Sequence, residues 1–277
     1  MNAIAMNPGD QKTTVELLRF TEEIAANAGA YLLQELGTLT AGDIEVKAYN
    51  DFVSYVDKRS EEIIVEGLNG LIPGAGFLAE EQVRIAGQGD YRWIIDPLDG
   101  TTNYIQGLPL FSVSIGLEYR GDIILGVVYE PNRNELFSAA DGIPSTLNHQ
   151  PIRVSSTPTL SESLLATGFP YADLGKMEHY MNFLRYTIRN SRGIRRFGSA
   201  AVDLAYVACG RFDAFFEYGL KPWDVAAGSL IVKQAGGAVC DFKGKQNYLY
   251  GQEIIASNGA VESELQKEAE ACFDTLV

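Results

Sequence analysis

From Trp93 to Tyr129 the apolar residues keep returning at the spacing of β-strands, and this stretch constrains the architecture more than any other. Trp93-Ile94-Ile95 is a short apolar strand that runs straight into Asp96-Pro97. Phe111, Val113, Ile115 and Leu117 alternate with small or polar residues, the pattern of a half-buried strand. Arg120-Gly121-Asp122 is a turn, Ile123 to Tyr129 returns as its hairpin partner, and Leu136 to Ala139 adds a further strand. Upstream the period is helical. Thr13 and Glu16 have capping-box spacing, and Leu17, Leu18, Ile24, Ala28, Tyr31 and Leu32 then recur until Gly37. A second helix is expected from about Lys58 to Leu71, stopped by Pro73-Gly74. Two helices followed by an antiparallel sheet therefore open the chain.

Beyond about residue 150 the order changes. Strands at Leu164–Thr167, Phe212–Glu217, Ala238–Phe242 and Ile254–Ser257 alternate with helices over Met177–Arg189, Ser199–Ala208 and Pro222 to Gly236-Gly237, before a last helix. Such alternation predicts an α/β layer. The expected organisation is a loose polar tail over 1–12, an α+β half over 13–150 and an α/β half over 151–277, with no repeat and no low-complexity linker.

Thirty-six acidic residues against 22 basic ones give a net charge of −14, which disfavours nucleic acid and anionic lipid as partners. The longest apolar runs, such as Ile123 to Tyr129, stop far short of the roughly 20 residues a bilayer requires. Met1 to Lys12 lacks the basic start and apolar stretch of a secretory signal. Cys209, Cys240 and Cys272 are widely spaced with no CxxC pair, which predicts reduced, partly buried thiols in a cytoplasmic protein. His149 and His179 sit in polar stretches that read as surface. With so little His and no paired Cys, any metal held here is a hard, oxygen-bound one.

Four acidic segments follow from that. In WIIDPLDGTTNY (Trp93–Tyr104) a strand delivers Asp96 to its end, Pro97 blocks the ladder and Gly100 permits a tight turn. Asp96 and Asp99 then face one point, with the Leu98 carbonyl between them, and two close carboxylates are costly unless a cation neutralises them. The N–H groups of Gly100 and Thr101 are free to meet an anion. The same five residues also describe an ordinary capped turn, and both readings stand on this segment alone. Glu80-Glu81 follows the apolar Phe77-Leu78-Ala79; Asp224 falls in the first turn of the helix opened by Pro222; Asp57 caps the second helix and Asp51 opens a strand. Nothing in the linear sequence shows that these acids meet.

Together the segments resemble the inositol monophosphatase family of lithium-sensitive, magnesium-dependent phosphatases. Trp93–Tyr104 and WDVAAGSLIVKQAGG (Trp223–Gly237) are similar to its two signatures. DFVSYVD (Asp51–Asp57), Ala79–Glu81, Gly198–Ala201 and Glu217 resemble its remaining elements, in order, over roughly residues 14 to 265. The resemblance implies a five-layer α-β-α-β-α sandwich, usually a homodimer, and two or three Mg²⁺ ions per site held by Glu80, Asp96, the Leu98 carbonyl, Asp99 and Asp224. It implies that Asp57 and Thr101, with Glu80, activate the attacking water. It further implies that Asp99, Gly100, Thr101, Ser199, Ala200 and Glu217 contact a small phosphorylated polyol or sugar. Inositol 1-phosphate is the expected substrate. The Lys-Glu pair that follows Gly-Thr in members acting on 3′-phosphoadenosine nucleotides is absent, while fructose 1,6-bisphosphate, NADP and histidinol phosphate stay open. Substrate choice is expected to lie in the loops Gly168 to Met177 and Arg192 to Phe197. A different class of function is also implied, because some bacterial relatives bind the transcription and ribosome-assembly machinery apart from catalysis; Arg192, Arg195 and Arg196 would then serve a partner, although pairing with the acidic surplus or supporting the dimer is the favoured reading of these arginines. Ser54, Ala79, Tyr104 and Gln234 depart from the family pattern, and none of them is an implied metal ligand.

Overall fold

The computed structural model describes residues 11–48, 51–82, 84–171 and 174–274. Helix α1 (Gln11–Glu35) leads to the hairpin β1 (Ile44–Ala48) and β2 (Asp51–Ser54), helix α2 (Tyr55–Leu68), β3 (Gly76–Ala79), β4 (Arg84–Ile85), β5 (Tyr91–Asp99) and the short helix α3 (Thr101–Ile105). Strands β6 (Ser112–Tyr119), β7 (Asp122–Glu130), β8 (Glu135–Ala140), β9 (Ile143–Leu147) and β10 (Gln150–Pro151) complete a sheet of order β10-β9-β8-β7-β6-β5-β3-β4. Then come β11 (Leu164–Thr167), α4 (Met177–Asn190), β12 (Gly193–Arg195), α5 (Ala200–Ala208), β13 (Ala214–Tyr218), α6 (Pro222–Gln234), β14 (Ala238–Cys240), β15 (Glu253–Ser257) and α7 (Glu262–Phe273). The five strands among them form a second sheet, β12-β11-β13-β15-β14.

These elements stack in five layers, a mixed α/β sandwich. Helices α1 and α2 cover one face of the large sheet, α5 and α6 lie between the two sheets, and α4 and α7 cover the far face of the small one. Each of three apolar cores fills one of the helix-bearing layers. The middle layer is the tightest. Val225 to Val232 of α6 are all buried, as a helix apolar all round must be. A Cβ at Gly126 would stand 2.6 Å from the Ala227 carbonyl oxygen, and one at Gly228 would stand 2.6 Å from Leu204 Cβ. Missing side chains on both partners let α6 settle onto the large sheet and against α5, which holds its N-terminus, and hence Asp224, in place.

Several local expectations shift. α1 already includes Gln11, so Thr13 lies inside the helix; a Thr and a Glu three apart also suit a helix interior. α2 starts at Tyr55 rather than Lys58 and ends at Leu68, where Asn69 and the positive-φ Gly70 stop it before Pro73. Its cap is Ser54, whose hydroxyl accepts from Val56 N–H at 3.1 Å. Asp57 is therefore the third helical residue, returning a bond to the Ser54 N–H at 2.8 Å in a capping box. β5 pairs antiparallel with β6 but parallel with β3, so the first sheet is mixed. β13 begins at Ala214, two residues late, because the Asp213 carboxylate leaves the ladder to accept from Leu164 N–H at 2.6 Å. β14 ends at Cys240, since Asp241 turns the chain by accepting from Lys243 and Lys245 N–H groups. His149 is exposed, but His179 is half-buried against Phe273, with Nδ1 2.8 Å from the Cys272 carbonyl oxygen. All three cysteines are unpaired thiols. Among the described residues no helix is long and apolar enough to cross a membrane.

Candidate active site

The two sheets meet at a cavity of ≈ 280 Å³. Its floor comes from the end of β5. Between Asp96 and Asp99 the β5–β6 register is irregular, which lets the strand turn through Pro97-Leu98. Gly100 then takes φ 99°, a conformation that excludes most side chains, and α3 begins at Thr101. Gly100 is also hemmed in, since a Cβ would lie 3.1 Å from the Gly198 carbonyl oxygen. The bend is braced from α2, where Ser60 Oγ donates to the Pro97 carbonyl at 2.9 Å and Glu61 accepts from the N–H groups of Glu81 and Gln82 at 2.8 and 2.9 Å. The Glu80 N–H donates to the Ile95 carbonyl at 3.1 Å. On the other side, Ser114 Oγ donates to the Trp223 carbonyl at 3.2 Å beside Asp224.

Glu80, Asp96, Asp99 and Asp224 are thus brought together from β3's end, β5 and the N-terminus of α6. Burial and the surrounding carboxylates Glu80, Asp99 and Asp224 raise Asp96 well above the usual carboxylate range. Burial, with the nearby Asp99, lifts Asp224 to about 7, opposed by the Lys221 N–H that donates to it at 2.6 Å. Burial lifts Asp99 to about 6, opposed by Ser199 Oγ at 2.6 Å and Ala201 N–H at 2.7 Å, both donating to Oδ2. Among the described residues no three acidic, His or Cys side chains already close on one point.

Asp57 lies beneath this floor with no solvent exposure. Its Oδ2 accepts from Ser54 N–H and Oγ, while Thr101 Oγ1 stands 3.1 Å from Oδ1 and 3.0 Å from the Leu98 carbonyl oxygen. Burial raises the Asp57 carboxyl, and the Ser54 and Thr101 bonds oppose that rise. The cap of α2 and the first residue of α3 are therefore one connected unit.

The walls come from the small-sheet half. Gly198, Ser199 and Ala200 line one side and Glu217 another, and Asn103 Nδ2 ties the Gly198 loop down by donating to the Phe197 carbonyl at 2.8 Å. The Ser199 hydroxyl is already directed at Asp99. Glu217 lies flat on Gly168, where a Cβ would be 2.0 Å from its carboxylate, and burial lifts it to about 8 against the pull of Arg196. Of the three clustered arginines only Arg196 lines the cavity; its guanidinium lies 5.7 Å from the rings of both Phe169 and Tyr171. Arg195 is spent on the Ile194 carbonyl at the edge strand. Sequence reasoning placed the Gly168 and Arg192 loops near substrate and named Glu217 there, but it gave Arg196 to a partner, the acidic surplus or the dimer and passed over Phe169, Tyr171 and Asp203. The only signal for Asp203 was a single charge in the otherwise apolar helix Ala200–Ala208.

The chain belongs to the inositol monophosphatase family, whose sequence profile matches residues 14–273. It is 40% identical over 252 residues to an inositol-1-monophosphatase of Mesorhizobium japonicum, covering 91% of this chain and 95% of that one. It is 42% identical over 246 residues to the Nus factor SuhB of Escherichia coli, covering 88% and 92%. The crystal structure of the extragenic suppressor protein SuhB from Bartonella henselae superposes with a TM-score of 0.87 at 39% identity, covering 92% of this chain and 98% of that one.

Proposed function

We propose that this protein is a magnesium-dependent phosphate monoester hydrolase whose first substrate is inositol 1-phosphate. The observation that carries the reading is the gathering of Glu80, Asp99, Thr101 and Asp224 on one cavity, with Asp96 buried beside the acids and Asp57 bonded to Thr101. The donor set fits a hard divalent cation: every candidate ligand is oxygen, four are carboxylates, and the fifth is the Leu98 carbonyl, 3.0 Å from Thr101 Oγ1. Glu80, Asp96, the Leu98 carbonyl, Asp99 and Asp224 would hold two or three Mg²⁺ ions, which when bound offset the phosphate dianion and make water a better nucleophile near neutral pH.

The chain's own residues do the rest. The hydroxyl of Thr101 takes a hydrogen bond from the attacking water and hands its own to Asp57, whose second oxygen stays fixed by Ser54. The N–H groups of Gly100 and Thr101 receive the phosphate oxygens. Glu217, held largely as the acid near neutral pH, offers a diol both a donor and an acceptor. Ser199 orients Asp99 through its hydroxyl, and Ala200 leaves room for the polyol. The active form is a homodimer, and sedimentation checks it.

Phosphate release from inositol 1-phosphate, set beside fructose 1,6-bisphosphate, NADP and histidinol phosphate, tests the reading. Activity is expected with Mg²⁺, absent with a chelator, and lost as LiCl rises through the millimolar range. Full activity without a divalent cation would overturn it. A second reading has its support in the relative named a Nus factor: a binding role beside the transcription machinery. An Asp96→Asn variant separates the two, because an inactive protein that still restores the cellular phenotype places the biological role in binding.

A further inference from the structure

Helix α5 is apolar and buried along its whole length except for one charge, Asp203. A lone carboxylate in such a helix is expensive to desolvate unless something compensates it. Local explanations fail. The cap of α5 is Ser199, whose hydroxyl accepts from Val202 N–H, so Asp203 is not the cap. Its side chain is 1% exposed, and Oδ1 has no hydrogen-bond partner. Burial weighs most against its charge, Glu217 and Asp99 add to that cost when ionised, and Arg196 relieves it. Yet Asp203 lies on the wall of the cavity, the same wall that carries Ser199 and Glu217. A buried carboxylate with an oxygen that no group of the chain satisfies, on the wall of the ligand space, is placed to be completed by a ligand.

We propose that Asp203 is a specificity-determining residue that accepts a hydrogen bond from a hydroxyl of a polyol phosphate, on the wall that carries Ser199 and Glu217. The inference rests on the phosphatase reading and deepens it. The donor that a polyol phosphate brings to this wall is a hydroxyl, and a ligand lacking it leaves the carboxylate unpaired. Sites that hydrogen-bond a substrate hydroxyl reject analogues without it more strongly than apolar pockets do. An aryl phosphate with no hydroxyls has nothing to offer Asp203.

The test compares kcat/KM for inositol 1-phosphate and for 4-nitrophenyl phosphate in the native protein, Asp203→Asn and Asp203→Ala. The selectivity ratio for the inositol ester is expected to fall roughly 10- to 100-fold in the alanine variant, the range of one bond to a charged group, and by less in the isosteric asparagine variant, which keeps an acceptor. Deoxy analogues of inositol 1-phosphate close the cycle. The analogue missing the critical hydroxyl should lose that factor against the native protein and little more against Asp203→Ala. A merely structural role would lower both substrates by the same factor, and that result overturns the proposal. Calorimetric titration of each protein with inositol 1-phosphate gives a readout apart from turnover. If the native protein neither hydrolyses nor binds a phosphate monoester, the phosphatase reading falls and this one with it. If it hydrolyses both substrates and the ratio is unmoved, this one alone falls.

Discussion

The floor and the walls of the cavity are made in different ways. The floor is one continuous piece of chain, β5 turning through Asp96, Leu98, Asp99 and Gly100 into α3, with Glu80 and Asp224 brought to it by short braces. Its groups are buried, mutually repelling and held by backbone. The walls are assembled from separate loops and helix ends, namely Gly168 to Tyr171, Arg196 to Ala200, Asp203 and Glu217. Aromatic faces on a guanidinium, a carboxylate lying on a glycine and a lone buried acid are side-chain arrangements, each of which one substitution can change. A floor of this kind suits chemistry common to many substrates, and walls of this kind suit the choice among them. If that division holds, floor variants should move kcat and wall variants should move KM.

The largest effect is expected for Asp224→Asn. Losing one carboxylate of the cluster should cost several kcal/mol of charge stabilisation in the transition state, roughly 10³–10⁵-fold in kcat. The metal-free fold should survive, because one repelling charge has gone. Steady-state rates and a melting curve measure both; a kcat within tenfold of native would break the comparison at its strongest point. Next come Thr101→Ala and Asp57→Asn. Each removes one end of the 3.1 Å pair, and each should lower kcat by about 10²–10⁴-fold with little change in KM. The double variant should be barely worse than either, since the two act as a unit. Losses that multiply would mean that the water is activated without the pair.

Gly168→Ala asks the same question of the wall. The new Cβ falls within 2.0 Å of the Glu217 carboxylate and must displace it. KM for inositol 1-phosphate should rise roughly 3- to 10-fold, about the loss of one neutral hydrogen bond, with kcat changed far less. A collapse of kcat instead would move Glu217 into the chemistry. The smallest effect concerns stability. Glu217 ionises in the unfolded chain near its ordinary value and in the folded protein only at about 8. Below the first value neither state is charged, so the group costs nothing. As pH rises toward 8 the unfolded state alone loses its proton, and native stability falls. Glu217→Gln removes that penalty, so its melting temperature should match the native protein near pH 4.5 and exceed it increasingly up to pH 8, by about 2–4 °C for each kcal/mol. A constant difference across that range would mean that Glu217 is ionised in the fold.

Much of the floor was legible in the sequence because it is local. An apolar strand ending at Asp96, a proline that breaks the ladder and a glycine that turns the chain act through sterics over a few residues. The strand and helix alternation likewise announced the layers, since a periodic apolar face demands a partner. The boundaries of α2 and β13 were less legible, because Ser54 and Asp213 had hydrogen-bonding choices that only their neighbours settled.

What the sequence determined by itself is therefore most of the longer elements and the acidic bend. Tertiary structure decided that Asp57 lies under Thr101, that only one of three arginines enters the cavity, that Glu217 rests on Gly168, and that Asp203 is left without a donor. The reason is physical. Backbone conformation is set by neighbours along the chain, whereas burial, desolvation and pairing depend on which surfaces meet. Here α6 meets the large sheet and α5 at distances set by the absent side chains of Gly126 and Gly228, whose partners Ala227 and Leu204 lie in separate parts of the chain.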